Sequence, residues 1–356
     1  MNPLNLIRAN VRGMQGYLPG EQPGDPRVIK LNTNENPYPP SPLALRALME
    51  AAADTLRLYP DPLCGKLRET VAGLHGVTSD RVFFGNGSDE ILALCTRAFV
   101  EDDGSIGFFD PSYSLYRTLA QIRNAKIQAI ALDADCAWPA PDPETADLFL
   151  LTNPNAPSGR LYPEAQVEDF CRRARGVVVI DEAYVDFAAA HCMDLAQRLP
   201  NVLVMRSLSK SYSLAGLRAG YAVGNPDLIA ALFKIKDSYN VNRLTQAAAL
   251  AALRDQAHML DNVRRIKATR QKLAAELTAM GFQVHPSEAN FLWVKPARPA
   301  AQRLYELLKD RKILVRYFPG TGTGEHLRIT IGNEEQTERL LAALRAPELD
   351  NSTPMS

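Results

Sequence analysis

The chain has 356 residues, 46% of them apolar, with 40 basic and 40 acidic side chains. Zero net charge argues against a general affinity for nucleic acid or an anionic membrane, and the apolar fraction excludes long disorder. At roughly 150 residues per domain, two domains are expected.

The N-terminal stretch is rich in Pro, Gly and Asn and closes with Asn34-Glu35-Asn36-Pro37-Tyr38-Pro39-Pro40. It reads as an extended arm rather than helix. Met1 to Arg12 lacks the apolar run of a secretory signal, and no later run is apolar enough to span a bilayer. From Leu43 to Arg57 the spacing predicts a helix. Short apolar runs come next, at Val82–Phe84, Ile106–Phe109, Leu148–Leu151, Val177–Ile180 and Val202–Met205. Helical stretches lie between them, among them Ile91–Val100, Ser114–Asn124 and Glu164–Arg175. This alternation predicts an α/β fold with a mostly parallel sheet. Residues 226–280 read as helices. After Met280-Gly281 the pattern resets. Strands are expected at Phe282–His285, Asn290–Val294, Ile313–Tyr317 and Leu327–Ile331, and helices at Ala300–Arg311 and Glu335–Leu344. The expected organisation is an arm over 1–42, a large domain over 43–280 and a smaller α+β domain over 281–356, packed with the arm.

Five cysteines, Cys64, Cys95, Cys136, Cys171 and Cys192, are odd in number and form no Cys-x-x-Cys pair. Neither a disulfide framework nor a metal site is expected, and scattered reduced thiols suit a cytoplasmic protein.

The residues just past each central apolar run carry the chemistry. Val82–Phe84 leads into Gly85-Asn86-Gly87-Ser88-Asp89, Ile106–Phe109 into Asp110-Pro111-Ser112-Tyr113, and Leu148–Leu151 into Thr152-Asn153-Pro154-Asn155-Ala156-Pro157. Val177–Ile180 leads into Asp181-Glu182-Ala183-Tyr184, and Val202–Met205 into Arg206-Ser207-Leu208-Ser209-Lys210. In open α/β sheets ligands bind at the C-terminal ends of the strands. Singly, each group has a plain alternative: Ser88 or Asp181 as a helix cap, Lys210 as a solvated lysine, Tyr113 as packing. Together they form a set that one cofactor uses at once. Pyridoxal 5′-phosphate needs a lysine for its aldehyde, an acid for its ring nitrogen and donors for its phosphate.

On these residues, with Tyr59-Pro60-Asp61-Pro62 and the interval from Lys210 to Arg218, the chain resembles fold type I pyridoxal-phosphate-dependent aminotransferases. Among them it is most similar to the histidinol-phosphate aminotransferase family, from about Tyr17 to Leu344. The resemblance implies a role for each of these residues. Lys210 holds the cofactor aldehyde and moves the substrate proton, Asp181 pairs with the ring nitrogen, and Tyr184 bonds the ring oxygen. Ala183 and Tyr113 cover the two ring faces. Gly87, Ser88, Asp89, Ser207, Ser209 and Arg218 form the phosphate site, which Tyr59 reaches from the neighbouring subunit of a homodimer. Arg328 anchors the substrate anion, Arg316 is a second arginine for a phosphate, and Tyr17 and Asn36 of the arm complete the substrate site. One position departs from the family: Ala156 stands where an Asn normally precedes the Pro, so Asn155 is expected to turn in instead. The implied reaction exchanges an amino group between glutamate and imidazole-acetol phosphate, giving histidinol phosphate, in histidine biosynthesis. Aromatic amino-acid aminotransferase and threonine-phosphate decarboxylase activities are the alternatives on the same residues. A transcription regulator on this fold would need a basic DNA-binding domain, for which the arm is too short and too rich in Pro. A cofactor-binding relic would have lost polar roles that are filled here.

Overall fold

The computed structural model describes residues 2–139 and 146–346. Met1, residues 140–145 and residues 347–356, portions of the three expected units, lie outside the described residues. In chain order the strands are β1 (Ile29–Lys30), β2 (Val82–Gly85), β3 (Ser105–Asp110), β4 (Lys126–Ala131), β5 (Leu148–Thr152), β6 (Val177–Asp181) and β7 (Val202–Ser207). They continue with β8 (Gly220–Gly224), β9 (Gln283–Val284), β10 (Phe291–Lys295), β11 (Ile313–Leu314), β12 (Arg316–Tyr317) and β13 (Leu327–Thr330).

The main sheet has the order β2-β8-β7-β6-β5-β3-β4. Only β8 runs against its neighbours; the other pairings are parallel, as expected. β5 is buried along its whole length, and β6 nearly so. Leu151, Val178 and Ile180 face one apolar cluster, while Leu150, Val179 and Leu203 face another on the opposite side. Strands covered on both faces need apolar residues at every position, which is why these runs show no alternation. The strand order reverses between β3 and β5, and a crevice opens there, beyond the C-terminal strand ends.

The second sheet, β12-β13-β10-β9, is antiparallel, and β1 of the arm pairs in parallel with β11. The single strand expected over Ile313–Tyr317 thus divides between two sheets. The 24-residue helix Gln256–Ala279 packs Met259, Val263, Ile266, Leu273 and Leu277 into the same cluster as Leu292, Leu327 and Leu340. Ile29 and Leu31 of the arm join that cluster.

Three expectations of local structure are corrected. The helix expected over Leu43–Arg57 runs only over Pro42–Ala51, where Ser41 caps it and Pro42 opens it, and a separate 3-10 turn covers Asp54–Arg57. The helix expected from Ile91 begins at Ser88. The arm contains a short helix, Ala9–Gly13. All five cysteines are buried free thiols.

Candidate active site

The crevice at the strand ends is a cleft closed by the arm on one side and the second sheet on another. Lys210 lies three residues past β7. Its Nζ donates to the Thr33 carbonyl at 3.2 Å and lies 5.9 Å from the centre of the Tyr184 ring. Burial, helped by the Arg328 charge, pulls its pKa down to about 8, so the neutral amine is accessible near physiological pH.

Asp181 ends β6 and is buried. Its Oδ2 accepts from the Tyr116 hydroxyl at 2.8 Å and its Oδ1 from the Ala183 N–H at 3.1 Å. Burial pushes its pKa up to about 6 against the pull of those donors. The Tyr184 hydroxyl accepts from Asn34 Nδ2 at 3.0 Å, and Ala183 and Tyr113 line the cleft with it.

β2 enters the helix Ser88–Ala98 through Gly85-Asn86-Gly87. Gly87 is the cap, with φ of 80°, and Ser88 is the first helical residue rather than the cap. A Cβ at Gly87 would stand 2.7 Å from an Arg218 guanidinium nitrogen. Arg218 itself pairs with Asp89 at 2.8 Å. Ser209 N donates to Ser207 Oγ at 3.2 Å, while the Ser209 hydroxyl is buried without a hydrogen-bond partner. Free N–H groups at a helix start, an arginine, and an unpaired buried hydroxyl form an anion cradle. With the partly buried amine of Lys210 and the buried acid of Asp181 alongside, this donor set fits pyridoxal 5′-phosphate.

At the substrate end, Arg316 of β12 and Arg328 of β13 are register partners across the strand pair. Both line the cleft, and both guanidiniums lie 5.2 Å from the centre of the Phe318 ring. Arg316 donates to the carbonyls of Leu18 (3.1 Å) and Pro19 (3.4 Å) in the arm. Arg328 Nη2 donates to the Asn32 carbonyl at 3.1 Å, and its Nε is buried without a partner. Tyr17 packs edge-on against Tyr113, with ring centres 5.9 Å apart.

Two expected site residues stand elsewhere, and Tyr59, expected to serve a neighbouring subunit, lies outside this chain's own cleft. Asn155 does not turn into the cleft: its Oδ1 accepts from Ser158 Oγ at 2.6 Å and its Nδ2 donates to the Pro111 carbonyl at 3.3 Å. Asn36 is off the cleft wall too, bonding the backbone carbonyls of Lys210 and Ser211. Asn34, two residues earlier with φ of 56°, lines the cleft instead. Tyr59 is 76% exposed and stacks on Tyr239 with ring centres 4.3 Å apart, outside this chain's own cleft. Sequence reasoning missed Asn34, Phe318 and Tyr116. The sequence did carry a signal for the first, since Asn34 belongs to the same arm motif as Asn36.

The family model for aminotransferase class I and II matches residues 26–344. The chain belongs to this family. Histidinol-phosphate aminotransferase 1 of Trichormus variabilis is 46% identical over 346 residues, spanning 96% of this chain and 98% of that protein. The histidinol-phosphate aminotransferase of Syntrophotalea carbinolica is 46% identical over 343 residues, 96% of this chain and 99% of its own. The crystal structure of histidinol-phosphate aminotransferase from Sinorhizobium meliloti in complex with pyridoxal-5′-phosphate superimposes with a TM-score of 0.83 at 28% identity, covering 91% of each chain. No helix of this aminotransferase, among the described residues, is long and apolar enough to cross a membrane.

Proposed function

We propose that this aminotransferase uses pyridoxal 5′-phosphate to exchange an amino group between glutamate and imidazole-acetol phosphate, giving histidinol phosphate in histidine biosynthesis. One observation carries the choice of substrate: Arg316 and Arg328 face each other across β12 and β13 in the cleft that holds Lys210 and Asp181. Like charges directly opposite on paired strands are destabilising. A dianionic group between them turns that repulsion into attraction, and planar guanidiniums match phosphate oxygens. The names of the relatives at 46% identity agree with this substrate.

Bound in the cleft, the cofactor supplies an aldehyde for the amino group and a ring that withdraws electrons from the substrate carbon. The chain's own groups do the rest. Lys210 takes the proton from the substrate carbon and returns it on the other side of the exchange, a task suited to an amine with a lowered pKa. Asp181 keeps a negative charge at the ring nitrogen. Tyr184, held by Asn34, bonds the ring oxygen. Ser88, Ser207, Ser209, Arg218 and the Asp89 N–H hold the phosphate. Tyr17 and Tyr113 shield the ring from water.

Tyr59, exposed on its own chain, reaches the phosphate of a second subunit in this reading, so the working unit is a homodimer. Buried reduced thiols support a cytoplasmic setting.

Arg316→Ala tests the substrate. Glutamate presents an α-carboxylate that Arg328 alone can hold, whereas the phosphate engages both arginines. A charge-assisted hydrogen bond contributes about 1.5–3 kcal/mol, so kcat/KM for histidinol phosphate falls roughly ten- to a hundredfold. The glutamate half-reaction changes little. Single-turnover kinetics of each half-reaction measures both. Equal losses would move an aromatic amino-acid aminotransferase ahead.

A further inference from the structure

Three residues of the cleft wall, Ser112, Thr152 and Asp181, are joined through Tyr116 in a line of four oxygen-bearing side chains. Ser112 Oγ is 3.1 Å from Thr152 Oγ1, Thr152 Oγ1 is 2.7 Å from the Tyr116 hydroxyl, and that hydroxyl is 2.8 Å from Asp181 Oδ2. Tyr116 is fully buried, set between the Phe108 and Tyr113 rings. Ser112 lines the cleft.

The direction of these bonds comes from proton counting. An ionised carboxylate only accepts, so Tyr116 donates its one proton to Asp181. Thr152 then donates to the Tyr116 oxygen, and Ser112 donates to Thr152. All three hydroxyls point the same way, toward the acid. Such aligned chains polarise one another, making the last donor stronger than an isolated phenol. The surroundings oppose an anion at this position. Asp181 is buried, and Asp89 and Glu182 add negative charge nearby. The Tyr184 hydroxyl is pushed up by desolvation, and the Asp181 charge adds to that push. Among the described residues, the Tyr116 hydroxyl and the Ala183 N–H are the donors to the Asp181 carboxylate.

We propose that Tyr116 is a positioning residue that keeps Asp181 ionised, so that the proton shared between Asp181 and the cofactor ring stays on the ring nitrogen. This rests on pyridoxal 5′-phosphate being the group bound in the cleft. A carboxylate that loses its donor becomes more basic and draws the shared proton toward itself. The ring then withdraws electrons less well. Ser112 and Thr152 act through Tyr116, by strengthening its donation.

The test is nitrogen-15 NMR of the full-length protein loaded with ring-labelled pyridoxal 5′-phosphate. In the wild type the signal sits at the protonated position across neutral pH. In Tyr116→Phe, which keeps the ring packing, it moves toward the unprotonated position. The displacement is the same at every pH at which the pair holds its one proton, and kcat falls about tenfold with little change in KM. Thr152→Val moves the signal in the same direction by less. Thr152→Val, which keeps the phenol in place, serves as the decisive variant if Tyr116→Phe does not fold. A Tyr116→Phe signal superimposable on wild type overturns the proposal, as does a superimposable Thr152→Val signal where Tyr116→Phe does not fold. So does a Thr152→Val shift as large as that of Tyr116→Phe, which would point to packing. A wild-type protein that binds no label at all instead removes the cofactor reading, and this inference with it.

Discussion

Asp181 ends β6 with its charge buried, and its pKa lies near 6 instead of 3.8. The folded chain therefore holds that proton more tightly than the unfolded chain does. Stability of the cofactor-free protein falls as pH rises from about 4 to about 6, and the deficit persists above that window. Two units correspond to about 3 kcal/mol. Asp181→Asn abolishes the step, so the cofactor-free variant melts higher than wild type at neutral pH while losing transamination. Thermal melts across the pH range check this, and parallel curves for the two proteins would contradict it. Functional acids commonly sit where folding alone would not place a charge.

The turn between β2 and the helix Ser88–Ala98 depends on Gly87. Its φ of 80° strains any residue with a Cβ, and a Cβ there meets Arg218 at 2.7 Å. Gly87→Ala costs about 1–2 kcal/mol in backbone strain alone. It also displaces the arginine of the phosphate cradle, so cofactor affinity drops at least tenfold in equilibrium dialysis, with the far-ultraviolet spectrum unchanged. The elements built on long apolar runs were legible in the sequence, because strands buried on both faces leave an unbroken hydrophobic signature. β8 was not. Gly220-Tyr221-Ala222-Val223-Gly224 offers three side chains between glycines. The glycines are there because a Cβ at Gly224 would stand 2.3 Å from Leu203, and one at Gly220 would stand 2.9 Å from the Ser88 N–H. The edge strand β4 is half exposed and carries too little pattern to read. At the site, strand-end residues such as Lys210 and Asp181 were readable because the sheet delivers them in register. Asn34 and Phe318 come from the arm and from a turn of the second sheet, so their placement depends on long-range packing that no local spacing encodes.

At the scale of the whole molecule, Tyr59 is exposed on its own chain, and in the proposed reading it serves the cleft of a second chain. If each cleft borrows Tyr59 from its partner, Lys210→Ala and Tyr59→Ala chains complement one another. Random mixing makes half of the dimers hybrid, each with one complete cleft, so activity rises to about a quarter of the wild-type value. Assays after co-refolding at several mixing ratios measure this, and activity that never exceeds the sum of the separate variants would show that each cleft is self-sufficient. The five cysteines bear on the folded molecule in another way. Every one is buried, and for Cys64, Cys95, Cys171 and Cys192 burial lifts the thiol pKa to about 12. At mildly alkaline pH almost no thiolate exists for an alkylating reagent to find, and none is within its reach. Alkylation of the native chain therefore waits on its opening. The mass gained over hours becomes a clock for unfolding, with five ticks per chain distributed through the fold.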